Sequence, residues 1–409
     1  MNIPPSPPFG KAGSKPSSTA PASPRIQSRI QRLAEGKAGS LIRVMIVDDS
    51  LTVRTIFRRM VEGDPSMEIA GTASSAERAI AQIKKEPADV VLLDLEMPGI
   101  GGLKALPDLL AAAPGVQVLV VSSLTQDGAE ATVEALSNGA ADTLQKPRPG
   151  GFTEDYRSQL LSKIRALGSD GTDAASSAEQ MGALAGTALD AQATSGSITP
   201  ALKTPRLKRP DVIAIGASTG GIHAINLMLR ELSPSCTLPI LITQHLPSNF
   251  IPVFARQIEV ASGRPTKIAE DGTEIRGGEI AIATGHGHMR VSRLSDRLVA
   301  RTSAEPAVSG CLPSVDPMLK SLAEACEGRV LAIILSGMGR DGFHGAQSLV
   351  EAGGSIWAQS AETCAVWGMP GAVTKAGLTS FVATPQGLGQ AIMARLADKA
   401  VPRGGVPAA

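Results

Sequence analysis

Short, mostly apolar segments alternate with helical patterns in two separate parts of the chain, and no other feature restricts the fold as strongly. In the first part, apolar runs lie at 43–47, 90–93 and 118–121, with helical patterns at 51–62 and 75–86. The second part has apolar runs at 212–215, 238–243 and 330–335. Strand–helix alternation of this kind is typical of parallel sheets with helices on both faces. The sequence therefore predicts an α/β protein with two doubly wound parallel-sheet domains.

Segments with few large apolar side chains flank and separate these two parts. They predict a disordered, basic, Pro- and Ser-rich arm at 1–40, a first domain at 41–165, a low-complexity linker at 166–210, a second domain at 211–400 and a flexible tail at 401–409. Segments of this composition bury too little apolar surface to fold alone. Ile26, Ile30 and Leu33 in the arm have helical spacing, so a short helix that docks on a partner is the alternative there.

Composition and charge exclude several classes of protein. The 409 residues carry 39 Lys and Arg against 38 Asp and Glu, which gives no basic field for nucleic acid, and aromatic residues make up only 2%. The chain has no run of about 18 apolar residues that would predict a membrane span, and no apolar signal segment at its start. The four cysteines form no C-x-x-C pair. We therefore expect a cytoplasmic protein without nucleic-acid partners or membrane insertion.

Acidic residues gather at predicted strand ends in the first domain. Asp48 and Asp49 follow the first apolar run, and Asp94 follows the second. The carboxyl ends of parallel strands meet at one edge of a sheet, and three carboxylates there favour Mg²⁺. A carboxylate beside such a metal can attack a phosphoryl donor. Ser122 and Lys146, at later strand ends, would then neutralise the phosphoryl charge.

These residues resemble the receiver domain of bacterial response regulators, a flavodoxin-like fold. The resemblance implies that Asp94, in D-L-E-M-P-G, accepts a phosphoryl group from a histidine kinase. It also implies that Asp49 and Asp94 ligate Mg²⁺ directly, with Asp48 assisting through water, and that Ser122 and Lys146 sense the phosphoryl group. Such domains usually have an aromatic switch residue three positions before the lysine, where this chain has Thr143. The departure puts the aromatic route of signal transmission in doubt.

The second domain opens on a glycine-rich turn, V-I-A-I-G-A-S-T-G-G at 212–221, with Ser218 at its centre. The turn fits the G-x-S-x-G pattern of a serine nucleophile between a strand and a helix. A phosphate-binding loop is the alternative. A dinucleotide fingerprint needs glycine at position 218 and an acidic residue after the next strand, where the chain has Gln244 and His245. A Walker loop needs a lysine that the turn lacks. The sequence therefore favours Ser218 as a nucleophile.

A serine nucleophile needs a base and an orienting carboxylate, and two other strand ends supply candidates. His245 follows the run at 238–243, and Asp341 lies in S-G-M-G-R-D-G after the run at 330–335. Asp271 and Asp316 are competitors for the carboxylate, but neither directly follows a strongly apolar strand. Ser218, His245 and Asp341 are therefore predicted to form a Ser–His–Asp set, recognised by role and not by position in the chain.

Two further histidines have the spacing of metal ligands. His286 and His288 in G-H-G-H-M are predicted on one face of a strand. The sequence offers no evident third ligand, so we interpret both as loop-packing residues.

The motifs of the whole chain resemble one family, the chemotaxis response regulators that are protein-glutamate methylesterases and glutaminases. G-A-S-T-G-G, T-Q-H, P-S-V-D, S-G-M-G-R-D-G and G-M-P occur in the family's order. The resemblance implies a Rossmann-like, three-layer α/β/α hydrolase domain in which Ser218 is the nucleophile, His245 the base and Asp341 its orienter. Thr219 and Met338 would lie at the rim of the active site.

The same resemblance implies the reaction and its partners. The substrates would be γ-glutamyl methyl esters, and specific glutamines, on cytoplasmic helices of chemoreceptors, and a chemotaxis histidine kinase would be the phosphodonor. The esterase reaction would need no cofactor, and a monomer is expected. A phosphorylation-dependent binding regulator with an inactive esterase-like domain is the alternative.

Overall fold

The computed structural model describes residues 41–122, 125–147, 151–169 and 209–397, apart from the side chains of Gln126 and Asp127. We call 41–169 the N-terminal unit and 209–397 the C-terminal unit. The predicted arm and tail, and the predicted linker between 170 and 208, lie outside the described residues.

The N-terminal unit alternates strands and helices around one parallel sheet. Its elements are β1 (Ile42–Val47), α1 (Leu51–Glu62), β2 (Met67–Ala73), α2 (Ala76–Ile83), β3 (Val90–Asp94), α3 (Gly101–Ala112), β4 (Gln117–Ser122), α4 (Gln126–Ser137), β5 (Asp142–Gln145) and α5 (Glu154–Gly168). The strand order is β2-β1-β3-β4-β5, and every pairing is parallel. The three predicted apolar runs lie within β1, β3 and β4, the three inner strands. The edge strands are less apolar and were not among the predicted runs.

N-cap side chains define where three helices of the N-terminal unit begin. The Ser50 side chain accepts a hydrogen bond from Val53 N, Ser75 accepts from Arg78 N, and Thr153 accepts from Tyr156 N. Each cap satisfies a backbone N–H that has no partner within its helix. The bounds of α1 match the predicted helix, α2 ends at Ile83 instead of the predicted residue 86, and α5 continues to Gly168.

The C-terminal unit is built on a seven-stranded parallel sheet. Its elements are β6 (Val212–Ala217), α6 (Gly221–Leu229), β7 (Ile240–Gln244), α7 (Ile251–Ser262), β8 (Thr266–Ile268), β9 (Glu274–Ile275), β10 (Ile280–Ile282), β11 (His288–Leu294), β12 (Arg297–Ser303), α8 (Val315–Ala325), β13 (Val330–Ile334), α9 (Phe343–Glu351), β14 (Ser355–Gln359), α10 (Met369–Lys375), β15 (Thr379–Ala383) and α11 (Pro385–Ala397). The strand order is β15-β14-β13-β6-β7-β10-β8. Every residue of β6, β7 and β13 is buried, as their apolar sequences predict.

A second, antiparallel sheet in the C-terminal unit was not predicted. It has the order β11-β12-β9 and packs its apolar side chains, including Met289, Val291 and Ala300, with Met318 and Leu322 of α8. The two long strands combine buried residues with exposed ones such as Arg290, Arg293 and Arg301, so neither strand is apolar throughout. A search for continuous apolar runs therefore passes over them.

The two units pack directly against each other through α4 of the N-terminal unit. This helix lies against α6 and α7 of the C-terminal unit. Val133 and Leu136 of α4 share one apolar cluster with Ile222 and Phe254, and all four side chains are buried. Among the described residues, no helix is long and apolar enough to cross a bilayer.

Candidate functional site

The turn between β6 and α6 presents Ser218 at the end of the central strand. Gly220 has φ +77°, and a Cβ there would lie 2.7 Å from Ser336 Oγ and 2.6 Å from the Cβ of Ala365, so glycine is required on both counts. Ser218 N donates to Ser336 O at 3.0 Å, and Gln244 Nε2 donates to Ser218 O at 2.9 Å. These bonds hold the backbone of Ser218 between its two neighbouring strands.

Strand pairing places His245 beside Ser218. Ala217 of β6 is paired with Gln244 of β7, so Ser218 and His245 are the first residues beyond a pair of aligned strand ends. His245 N donates to Ala217 O at 3.0 Å. The two residues line the same small cavity. The sequence-predicted nucleophile and base are therefore neighbours.

Asp341 contacts the histidine from the loop after β13. His245 Nε2 donates to Asp341 Oδ2 at 2.7 Å, which leaves Nδ1 as the ring nitrogen free of this bond. The buried carboxylate also accepts from Ser314 Oγ at 2.6 Å, Val315 N at 2.7 Å and Gly342 N at 3.0 Å. These donors fix the carboxylate, and with it the plane of the imidazole ring.

The protonation of this pair follows from its contacts. Burial alone would raise the pKa of Asp341, but hydrogen bonds from His245, Ser314 and Val315 outweigh it and lower the pKa to about 2. Burial would likewise lower the pKa of His245, but the hydrogen bond to Asp341 and the adjacent Cys311 outweigh it and raise the pKa to about 9. At neutral pH the resting pair is an imidazolium beside a carboxylate.

Neither competing carboxylate takes the place of Asp341. The Asp316 carboxylate accepts a hydrogen bond from Gly345 N at 2.7 Å, and Asp271 is exposed and pairs with Arg301. Asp316 also lies against Asp341: its N–H approaches Asp341 Oδ1 at 3.4 Å, and burial together with the neighbouring Asp341 carboxylate raises the pKa of Asp316.

The two histidines with metal-like spacing are separated by their surroundings. His288 is buried, and its Nδ1 accepts a hydrogen bond from Ser314 N at 3.0 Å. His286 precedes β11 and is exposed, with Glu270 at 3.9 Å. His288 thus has the packing role we interpreted for it, whereas His286 does not pack into the protein.

Several residues of the site were not predicted from the sequence. Ser314, Ser336 and Cys311 surround the predicted set, and Gly337 approaches Ser218 so closely that a Cβ on it would lie 2.9 Å from the serine Cβ. The motifs P-S-V-D and S-G-M-G indicate that these segments lie near the site. They do not show which of their residues contact Ser218, which is distant in the sequence. Met338, predicted at the rim, is partly exposed in the same loop as Gly337.

The N-terminal unit contacts the turn that carries Ser218. Gly220 N, at the start of α6, donates to the carbonyl oxygen of Ala141 at 2.6 Å. Thr219 Oγ1 donates to Asp142 Oδ2 at 2.6 Å, and Lys163 Nζ donates to the same oxygen at 2.6 Å. Ala141 and Asp142 also line the cavity of Ser218 and His245. Thr219 is buried by this contact and is not at an open rim.

Two further polar contacts link the N-terminal and C-terminal units. His223 Nδ1 donates to Ser137 O at 2.9 Å, and Arg256 pairs with Glu130 at 2.8 Å. Both join α4 to helices of the C-terminal unit.

The second candidate site lies at the strand ends of the N-terminal unit. Asp48, Asp49 and Asp94 each offer a carboxylate oxygen within 4.8 Å of the others. Lys146 Nζ contacts Asp94 Oδ2 at 2.5 Å and Asp48 Oδ2 at 2.9 Å. The Ser122 hydroxyl is buried and forms a 2.7 Å hydrogen bond with Thr132 Oγ1. The structure thus brings four of the five predicted residues into direct proximity, with Ser122 at the end of the strand beside Asp94.

Burial and charge shift the protonation of this cluster. Burial raises the pKa of Asp94, and Lys146 opposes that rise without cancelling it. Burial alone would lower the pKa of Lys146, but its hydrogen bonds to Asp94 and Asp48 outweigh it and raise the pKa. Three carboxylates and no nitrogen or sulfur donor form the oxygen-only set that Mg²⁺ prefers, so these residues fit that ion.

Both units match known protein families. Residues 44–152 match the response regulator receiver domain, and residues 213–392 match CheB methylesterase. The chain is 40% identical over 354 residues to protein-glutamate methylesterase/protein-glutamine glutaminase 1 of Paramagnetospirillum magneticum, which covers 83% of this chain and 92% of that relative. It is 38% identical over 360 residues to the protein of the same name from Rhodospirillum rubrum, with 84% and 92% covered. The crystal structure of the Thermotoga maritima CheB methylesterase catalytic domain is 29% identical, with a TM-score of 0.45, and covers 46% of this chain and 100% of that one.

Proposed function

Because the chain belongs to the family of protein-glutamate methylesterases/protein-glutamine glutaminases that carry a receiver domain, we propose that Ser218, His245 and Asp341 are its catalytic residues. One observation carries this proposal: His245 is hydrogen-bonded to the buried Asp341 carboxylate, which other donors also hold, and shares a cavity with Ser218. The enzyme is a serine hydrolase that acts on γ-glutamyl methyl esters and glutamine side chains.

The reaction proceeds through an acyl-enzyme. Ser218 Oγ attacks the ester carbonyl carbon while His245, in its neutral form, takes the serine proton. The tetrahedral intermediate expels methanol, which receives that proton, and leaves the glutamyl group on Ser218. Water then attacks the acyl-enzyme with the same base and releases glutamate. On a glutamine side chain the same steps expel ammonia instead of methanol.

Backbone N–H groups at the start of α6 supply the oxyanion site. The positive end of the helix dipole lies next to Ser218, where Gly221 N donates to Ser218 O at 2.8 Å. Gly220 N is one of these donors, and it is engaged by the carbonyl oxygen of Ala141. The donor becomes available to substrate only when β5 moves away, so the docked arrangement is an inhibited one.

Phosphorylation of Asp94 relieves this inhibition. The Asp94 carboxylate attacks the phosphorus of the kinase phosphohistidine, and the P–N bond breaks as the acyl phosphate forms. Asp48, Asp49 and Asp94 would hold Mg²⁺, which when bound would supply positive charge to offset that of the phosphoryl oxygens. Lys146 leaves its contact with Asp48 for the phosphoryl group, because a doubly charged group attracts it more strongly. Lys146 directly follows β5, and β5 begins at Asp142, so this movement reaches the contact with Thr219.

The partners are a chemotaxis histidine kinase as phosphodonor and methylated chemoreceptors as substrates. A cytoplasmic location, a monomeric state and the domain boundaries stay predictions from the sequence.

Methanol release from methylated receptor, measured with the full chain and a small-molecule phosphodonor, tests the proposal. We expect release that depends on the phosphodonor and that disappears in Ser218→Ala. Release that survives in Ser218→Ala would contradict the mechanism. A native, phosphorylated chain that binds receptor without releasing methanol would favour the inactive binding regulator.

A further inference from the structure

A cysteine lies beside the proposed catalytic pair without a role in hydrolysis. The donor atoms of Cys311, His245 and Asp341 all lie within 4.8 Å of one another. We propose that these three side chains form a Zn²⁺-binding site and that the bound ion inhibits the esterase. The inhibition rests on the proposed function, whereas the binding site does not.

The donor set selects the ion. Zn²⁺ binds imidazole nitrogen, thiolate sulfur and carboxylate oxygen at about 2.0–2.3 Å, in a tetrahedron whose fourth position is open to water. Mg²⁺ and Ca²⁺ prefer oxygen ligands alone, so a thiolate and an imidazole discriminate against them. The site is therefore chemically distinct from the acidic cluster of Asp48, Asp49 and Asp94, which has only oxygen donors.

The three ligands are held together by a chain of hydrogen bonds. Cys311 N donates to Ser309 Oγ at 3.3 Å, Ser309 Oγ donates to Ser314 Oγ at 3.2 Å, and Ser314 Oγ donates to Asp341 at 2.6 Å. Outer hydrogen bonds of this kind orient metal ligands and tune their affinity. Cys311 and His245 are partly exposed, so an ion from solvent reaches them.

Metal binding and catalysis compete for the same atoms. On binding, the thiol proton of Cys311 and the proton of the ligating His245 nitrogen go to solvent, and both lone pairs form bonds to Zn²⁺. His245 then cannot accept the proton of Ser218, and Asp341 no longer orients it. Hydrolysis stops while the ion is bound and resumes when a chelator removes it.

The test uses the full chain with excess Mg²⁺ and, as a thiolate-sensitive probe, Co²⁺ in place of Zn²⁺. We expect a thiolate-to-Co²⁺ absorption band in the native chain and in Ser218→Ala, but not in Cys311→Ala. Cys364→Ala is the matched control, because Cys364 is the other partly exposed cysteine of the C-terminal unit, and it should keep the band. Zn²⁺ titrations should show affinity falling by about 100-fold in Cys311→Ala and remaining unchanged in Cys364→Ala.

A second measurement needs no variant. Zn²⁺ should protect Cys311 of the native chain from alkylation, read out by mass spectrometry. Equal affinity in Cys311→Ala, or alkylation of Cys311 at saturating Zn²⁺, would overturn the site. Binding through Cys311 with undiminished methanol release would overturn the inhibition alone. A chain that binds Zn²⁺ through Cys311 but never releases methanol would leave the site standing and remove the proposed function.

Discussion

Thr219 Oγ1 donates a 2.6 Å hydrogen bond to Oδ2 of Asp142, and this bond joins the residue after the proposed nucleophile to the first residue of β5 in the other unit. The bond connects the two candidate sites, because β5 leads directly to Lys146, which contacts Asp94. A movement of Lys146 on phosphorylation of Asp94 would therefore be transmitted through β5 to the turn that carries Ser218.

Asp142→Ala should raise the methanol release of the unphosphorylated chain by about tenfold. A hydrogen bond to a charged group contributes about 1.5 kcal/mol. Its loss would shift the equilibrium between docked and undocked units about tenfold toward the undocked, active state. Lys163→Ala is the control, since it removes another side-chain partner of the Asp142 carboxylate and leaves the bond from Thr219 in place. Equal basal rates in Asp142→Ala and the native chain would show that this contact does not keep the enzyme closed.

Ser218→Ala should lower turnover by about 10⁶, and Asp341→Asn by about 10⁴, because the second change leaves the base in place but misorients it. Initial rates of methanol release on the phosphorylated chain measure both. His288→Gln serves as a comparison, since His288 is hydrogen-bonded to the Ser314 backbone and not to the triad. An Asp341→Asn enzyme with native turnover would remove Asp341 from the mechanism.

Asp94→Asn should abolish stimulation by a phosphodonor and leave basal release as it is. The change removes the proposed phosphoryl acceptor, while Asp108→Asn alters only an exposed acid on α3 and should be stimulated normally. Chelation of Mg²⁺ should reproduce the Asp94→Asn result in the native chain. Stimulation that persists in Asp94→Asn would place the phosphorylation site elsewhere.

The pH profile of the unphosphorylated chain should rise through about pH 9. Asp341 and Cys311 face His245 and hold its pKa near 9, so the neutral form needed as a base grows about tenfold per pH unit below that value. The profile is obtained from rates of methanol release measured from pH 6 to 10 with chelator present. The rate of the Ser218→Ala variant is subtracted at each pH. A rate that is constant between pH 7 and 9 would mean that His245 is already neutral in the working enzyme.

The proposed catalytic set could be predicted because Ser218 and His245 directly follow apolar strands and Asp341 lies in the loop after a third. Ser218, His245 and Asp341 follow β6, β7 and β13, and those strands are neighbours in the sheet. Parallel strands bring their carboxyl ends to one edge, so local patterns were sufficient. The acidic cluster of Asp48 and Asp94 was predicted for the same reason.

The remaining features depend on contacts that no local pattern encodes. Cys311 and Ser314 come from the loop between β12 and α8, and only the packing of α8 brings that loop to Asp341. The bond between Asp142 and Thr219 depends on how the two units dock. Docking produces no periodic pattern in the sequence of either unit, so it could not be predicted. The antiparallel sheet was missed because neither of its long strands is apolar throughout.

The carbonyl oxygen of Ala141 accepts a hydrogen bond from Gly220 N, the donor that we propose for the substrate oxyanion. On that proposal the N-terminal unit is a tethered competitive inhibitor that imitates part of the transition state with its backbone. Because it is covalently attached, its effective concentration is fixed by the connecting chain and does not change with the amount of protein. Receptor must outcompete it, so in the resting enzyme the inhibition appears as a raised KM, and enough clustered receptor overcomes it without any phosphorylation.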